Sequence, residues 1–82
     1  MYIVFESYYK HGEVNMQLIH PNEMREFCLK QLGYYQVTGD FESLSLEELI
    51  SLTIKEGNNI VEGQGGMGVR YIVKGDNITV MA

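Results

Sequence analysis

Eleven carboxylates against six lysines and arginines give this 82-residue chain a net charge of −5, which disfavours direct binding to a phosphate backbone, because that affinity comes from Lys and Arg displacing counterions. One cysteine, Cys28, excludes an internal disulfide framework, and a single thiol with two histidines falls short of a zinc cluster. The apolar share of 45 % is that of a folded chain, and the length predicts one small domain over 1–82 with a thin margin of stability.

Met1-Tyr2-Ile3-Val4-Phe5-Glu6 has no basic start and meets a carboxylate after a short apolar run, so it does not read as a signal peptide. No segment approaches the roughly 18 to 20 apolar residues of a membrane span. The expectation is a soluble, cytoplasmic protein in a reducing setting.

Residues 1 to 20 read as a hairpin. Tyr2 to Tyr9 is rich in β-branched and aromatic types, and its unbroken apolar start predicts a strand buried on both faces and central in the sheet. Lys10-His11-Gly12-Glu13 makes the connection, with Gly12 able to supply a positive φ. Val14, Met16 and Leu18 then alternate with Asn15, Gln17 and Ile19, giving one apolar and one mainly polar face, as in a half-exposed strand.

At Pro21 the period changes. Asn22 is placed to cap, Glu23 and Glu26 suit the positive end of the dipole, and Met24, Phe27, Cys28 and Leu32 form one stripe, so a helix is predicted over 22–32 with Gly33 as its left-handed cap. Tyr34-Tyr35-Gln36-Val37-Thr38 reads as a short edge strand or extended linker before Gly39-Asp40. Ser45 and Glu48 then form a capping box, flanked by Leu44 and Leu49 as a hydrophobic staple. Leu46, Leu49, Ile50 and Thr53 make the inward stripe, and Gly57 is expected to stop the helix before a turn at Asn58-Asn59.

Ile60 to Val80 reads as a β-meander. The two-residue loop Gly75-Asp76 would pair Val73 with Ile78 and Tyr71 with Val80, while Gly65-Gly66 would close the preceding hairpin, with a bulge near Gly63 or Gly68. The element order is ββα(β)αβββ. It predicts an α+β fold, a mainly antiparallel sheet of four to five strands with two amphipathic helices on one face.

Gly63-Gln64-Gly65-Gly66-Met67-Gly68 satisfies G-x-G-x-x-G, but a strand follows it, so no helix dipole is aimed at a phosphate. Gly65, Gly66 and Gly68 with Arg70 remain a candidate anion nest. Cys28 on an apolar stripe reads as an inert thiol, and no nucleophile and base pair, catalytic residue, cofactor site or metal site is evident. The carboxylates Asp40, Glu42, Glu47 and Glu48 can converge on one side, although capping already accounts for part of them. Tyr34 and Tyr35 join them as candidate partner-binding residues, since tyrosine gives large contact area at low entropy cost.

In size and charge alone, the chain resembles the small acidic orphan proteins of phages and mobile elements, anti-CRISPR inhibitors among them. The leading expectation is a non-enzymatic binding module that presents acidic residues and tyrosines to a protein partner with a basic surface, for instance as a DNA-mimicking inhibitor of a nucleic-acid-processing enzyme. The alternatives are a small-molecule or anion-binding domain using the loop 63–68, and a self-associating structural subunit with exposed strand edges. No direct contact with nucleic acid or membrane is expected.

Overall fold

The computed structural model describes residues 1–75. Its elements are β1 (Tyr2–Ser7), β2 (Asn15–Ile19), a 3-10 turn at Pro21–Glu23, α1 (Met24–Tyr34), α2 (Leu46–Glu62) and β3 (Gly68–Lys74). The fold is α+β, with an antiparallel sheet in the order β2-β1-β3. Among the described residues the sheet has three strands rather than four or five. The Gly75-Asp76 loop and the pairings of Ile78 and Val80 lie outside the described residues.

Because side chains alternate along a strand, the register divides the sheet into two faces. On one, Tyr2, Val4 and Glu6 of β1 stand beside Ile19, Gln17 and Asn15 of β2 and Lys74, Ile72 and Val69 of β3. Both helices pack on this side: Tyr2, Val4 and Val69 form one buried cluster with Met24, Phe27, Cys28 and Leu32 of α1 and Leu49 of α2. The chain extends only 14 Å across these layers, against 35 and 34 Å in the plane. Between its pairings with Phe5 and Glu6, β3 carries Arg70 as an extra residue, a bulge that keeps Val69 turned to the helices.

The first strand of the expected meander is replaced by a longer helix, while its middle strand is present as β3. Gly57 does not stop α2; it lies on its buried stripe with Leu49, Thr53 and Val61, at intervals of four residues. A Cβ on Gly57 would stand 2.7 Å from the backbone nitrogen of Val69 and still closer to its carbonyl oxygen, and one on Gly68 would stand 2.9 Å from the carbonyl carbon of Gly57. The two glycines let helix and strand touch backbone to backbone. That contact offsets the roughly 1 kcal/mol a mid-helix glycine costs relative to alanine, so Asn58-Asn59 and Ile60–Glu62 continue the helix instead of forming a turn and a strand.

Neither helix ends at the glycine the pattern suggested. α1 is entered through the 3-10 turn, where His20 rather than Asn22 caps: its Nδ1 accepts from the Asn22 N–H at 3.2 Å. It then runs through Gly33, and Gln36 takes the left-handed conformation at φ 60°. The Val37 N–H donates to Leu32 O and that of Gln36 to Gly33 O, both at 3.0 Å, a Schellman motif, so that of the segment expected as an edge strand or extended linker Tyr34 is helical, Tyr35 and Gln36 turn, and only Val37 and Thr38 connect. α2 closes the same way on Gln64, at φ 59°, with Gly65 N–H on Ile60 O and Gln64 N–H on Val61 O. Since Gly33 sits inside α1 and a Cβ there meets nothing within 4 Å, Gly33→Ala is expected to stabilise the fold by about 0.5 to 1 kcal/mol. A thermal melt checks it, and a lowered midpoint would contradict the helical placement.

Candidate functional site

The strand β2 turns its polar side to the helices. Met16 and Leu18, which a half-exposed strand would bury, are 56 % and 38 % exposed, whereas Asn15 and Gln17 point inward. The cause lies in β1. Glu6 has the same parity as Tyr2 and Val4 and is therefore carried under the helix layer, where it keeps only 5 % of its surface. Its Oε1 accepts from Asn15 Nδ2 at 3.0 Å and from Gln17 Nε2 at 2.6 Å. A carboxylate buried that far is costly without such donors, so the two amides fix the register of β2 against β1.

The opposite face is left to the apolar residues. It consists of two rows that cross all three strands, Leu18-Ile3-Val73 and Met16-Phe5-Tyr71. Phe5 and Tyr71 stack with ring centroids 4.4 Å apart and planes inclined by 21°. Tyr71 and Val73 are 49 % and 44 % exposed, and Ile3 and Phe5 on the central strand are half-buried by their neighbours alone. This face carries no charged or amide side chain within the paired rows, whereas the helix-covered face carries Glu6, Asn15, Gln17 and Lys74. No described element packs over it. An antiparallel sheet with one solvated face normally turns polar side chains to it, and the largest exposed apolar patch of a monomer, typically about 300 to 600 Å², is often functional.

Of the acidic candidates, Glu47 and Glu48 lie in the first turn of α2, and Asp40 and Glu42 in the segment that leads to it. Asp40, Glu42, Glu47 and Glu48 are all exposed, but two are engaged locally. The Asp40 carboxylate accepts from the Glu42 N–H at 3.1 Å, and Glu48 completes the capping box, accepting from the Ser45 N–H at 3.0 Å while its own N–H donates to Ser45 Oγ at 3.1 Å. These bonds from Ser45 hold the Glu48 carboxyl below its ordinary range. A depressed folded value means the contribution is complete above the unfolded carboxylate pKa of about 4.3 and is lost as pH falls through the folded value. Replacing Glu48 by Gln is therefore expected to flatten the acid limb of the stability curve below about pH 4.3. Denaturant titrations across that range read the difference; identical acid limbs would remove the cap from the account.

The two tyrosines part company. Tyr34 is 77 % exposed at the end of α1, while Tyr35 turns inward and its hydroxyl accepts from the Val69 N–H at 2.9 Å, tying the α1 end to β3. Burial, outweighing this bond, raises its pKa, with Glu6 adding in the same direction. Of the anion-nest residues, Gly68 is pressed against Gly57 and leaves no room for a ligand on that side. Arg70 Nη2 pairs with Glu62 Oε1 at 3.1 Å, while Nη1 is buried with no partner among the described residues. Gly65 and Gly66 shape the turn between α2 and β3. Cys28 is fully buried, and burial is the main cause of its raised thiol pKa, which fits an inert core residue.

Among the described residues, no group of three or more His, Cys, Asp or Glu is placed to hold a metal ion, and no helix is long and apolar enough to cross a membrane. The chain matches no known family model, no curated protein and no solved structure with which it was compared.

Proposed function

We propose that this protein is a non-enzymatic binding module whose contact surface is the outer face of the sheet. The observation that carries the reading is the composition of that face: it is apolar in both rows although no described element covers it, and β2 turns Asn15 and Gln17 rather than Met16 and Leu18 to the helices. Fully burying an exposed residue of this kind gains about 1.5 to 3 kcal/mol; four of the six keep 38 to 56 % of their surface and Ile3 and Phe5 are half-buried, so a second surface covering them gains part of that at each. Affinity capture from the native host's lysate with two baits, the chain itself and Met16→Glu, tests the reading. A protein held by the first and lost by the second supports it. One held equally by both overturns it.

A second reading keeps the acidic segment as the contact, presented to a basic groove such as that of a nucleic-acid-processing enzyme. It is favoured by the exposure of Glu42 and Glu47, whose side chains no local hydrogen bond claims. Salt separates the two. Charge pairing weakens with ionic strength, whereas apolar contact does not; a partner that leaves at high salt and is lost on replacing Glu42 and Glu47 by Lys belongs to this second reading.

A further inference from the structure

We infer that the partner of the outer sheet face is a second copy of the same chain, packed sheet to sheet about a two-fold axis; the inference rests on the reading of that face as a contact surface.

Three features favour a second copy. The first is area. Met16, Leu18, Tyr71 and Val73 each keep 38 to 56 % of their surface, and with Ile3 and Phe5 the patch is on the order of 500 Å². Covering the whole patch on both copies buries about 1,000 Å², the least that a biological interface is expected to clear and short of the roughly 1,200 to 2,000 Å² of stable ones.

The second is shape and symmetry. Flat sheet faces stack about 10 Å apart with strands inclined by about 30°. An axis passing between Ile3 and Phe5 sets the rows Leu18-Ile3-Val73 and Met16-Phe5-Tyr71 of one copy on those of the other, so each patch is its own complement.

The third is charge. At −5 per chain, two copies repel unless their carboxylates stay apart. The paired rows of the outer face hold none, and Glu47 and Glu48 lie in the first turn of α2, which packs on the other side of the sheet. In a sheet-to-sheet pair the two helix layers are outermost and roughly 30 Å apart, several times the Debye length of about 8 Å at physiological salt. The helix carboxylates are thus placed where they oppose association least, while no charge in the paired rows calls for an oppositely charged partner.

Sedimentation equilibrium of the full chain from about 1 to about 200 μM, at about 0.15 M and about 0.5 M salt, tests the inference. The expected result is a dimer mass at the upper concentrations, with association unchanged or tighter at the higher salt. Met16→Glu, which the symmetry places twice in the interface, is expected to weaken association by about 100-fold or more while the far-ultraviolet circular dichroism stays that of the parent. Leu18→Glu is the second variant, for use if the first alters the fold. A dimer that survives both substitutions uses another surface and overturns the inference.

A monomer mass throughout also overturns it, and dye binding then decides what remains. A monomer that brightens an apolar-surface dye, with the brightening lost in Met16→Glu, has an open face meant for a different protein, so the binding-module reading stands. A dark monomer has the face covered from within the chain, and both readings fall.

Discussion

Gly57→Ala and Gly68→Ala should each lower stability by roughly 3 kcal/mol or more, a fall of about 12 to 24 °C in the thermal midpoint of a chain of this size. At the two glycines α2 and β3 meet without side chains between them. A methyl group on Gly57 points at the Val69 backbone, and one on Gly68 at the Gly57 carbonyl carbon 2.9 Å away. Backbone cannot rotate aside as a side chain does, so the helix must lift from the sheet. The lift opens the cluster that holds Leu49 and Val69. Gly33→Ala is the control, since it too replaces a helical glycine, in the last turn of α1, and its methyl meets nothing within 4 Å. Opposite signs at 33 and 57 are the expected result. Equal and small effects would mean that α2 does not rest on β3 at this point.

Glu6→Ala is expected to cost about 2 to 3 kcal/mol, because it strands the Asn15 and Gln17 amides under the helices without their shared acceptor. A double-mutant cycle between Glu6 and Gln17 should return a coupling of about 1 kcal/mol or more; additive effects would dissolve the network. The combination Glu6→Leu with Asn15→Val and Gln17→Leu is expected to recover much of the loss, since apolar groups of similar volume often replace a buried polar cluster without penalty. It should do so at the expense of register. With both sides of β2 apolar, nothing distinguishes Met16 inward from Met16 outward, and cross-strand contacts between β1 and β2 should report two pairings in place of one.

Two signals that act within a few residues hold in the fold. The Ser45 and Glu48 box sits at the start of α2, and the stripe Met24, Phe27, Cys28 and Leu32 faces the core. Two departures turn on residues distant in the chain. Gly57 carries the mark of a helix stop, and only Gly68, eleven positions later, makes it a packing contact. Gly33 is a local departure: the left-handed position falls three residues on, to Gln36, a residue type with no special claim to it. The alternation in β2 was visible, but its direction depended on Glu6. One signal was present and unused: Glu6 shares parity with Tyr2 and Val4, so burying those two commits a carboxylate to the interior and asks for amides opposite. The acidic segment drew attention because charge is legible in one dimension. The outer face is assembled from three strands spread over more than sixty positions, and no single stretch displays it.

The order β2-β1-β3 places the first strand of the chain between its immediate successor and a strand that begins at Gly68. During synthesis β1 and β2 can pair early, and α1 and α2 can form behind them, yet one edge of β1 keeps its hydrogen-bonding groups unmet until Gly68–Lys74 has left the ribosome. For that interval the nascent chain exposes both an open strand edge and the Ile3 and Phe5 side chains, the combination that recruits neighbouring chains or chaperones. Moving the β3 segment ahead of β1 in a permuted gene would close that edge from the outset.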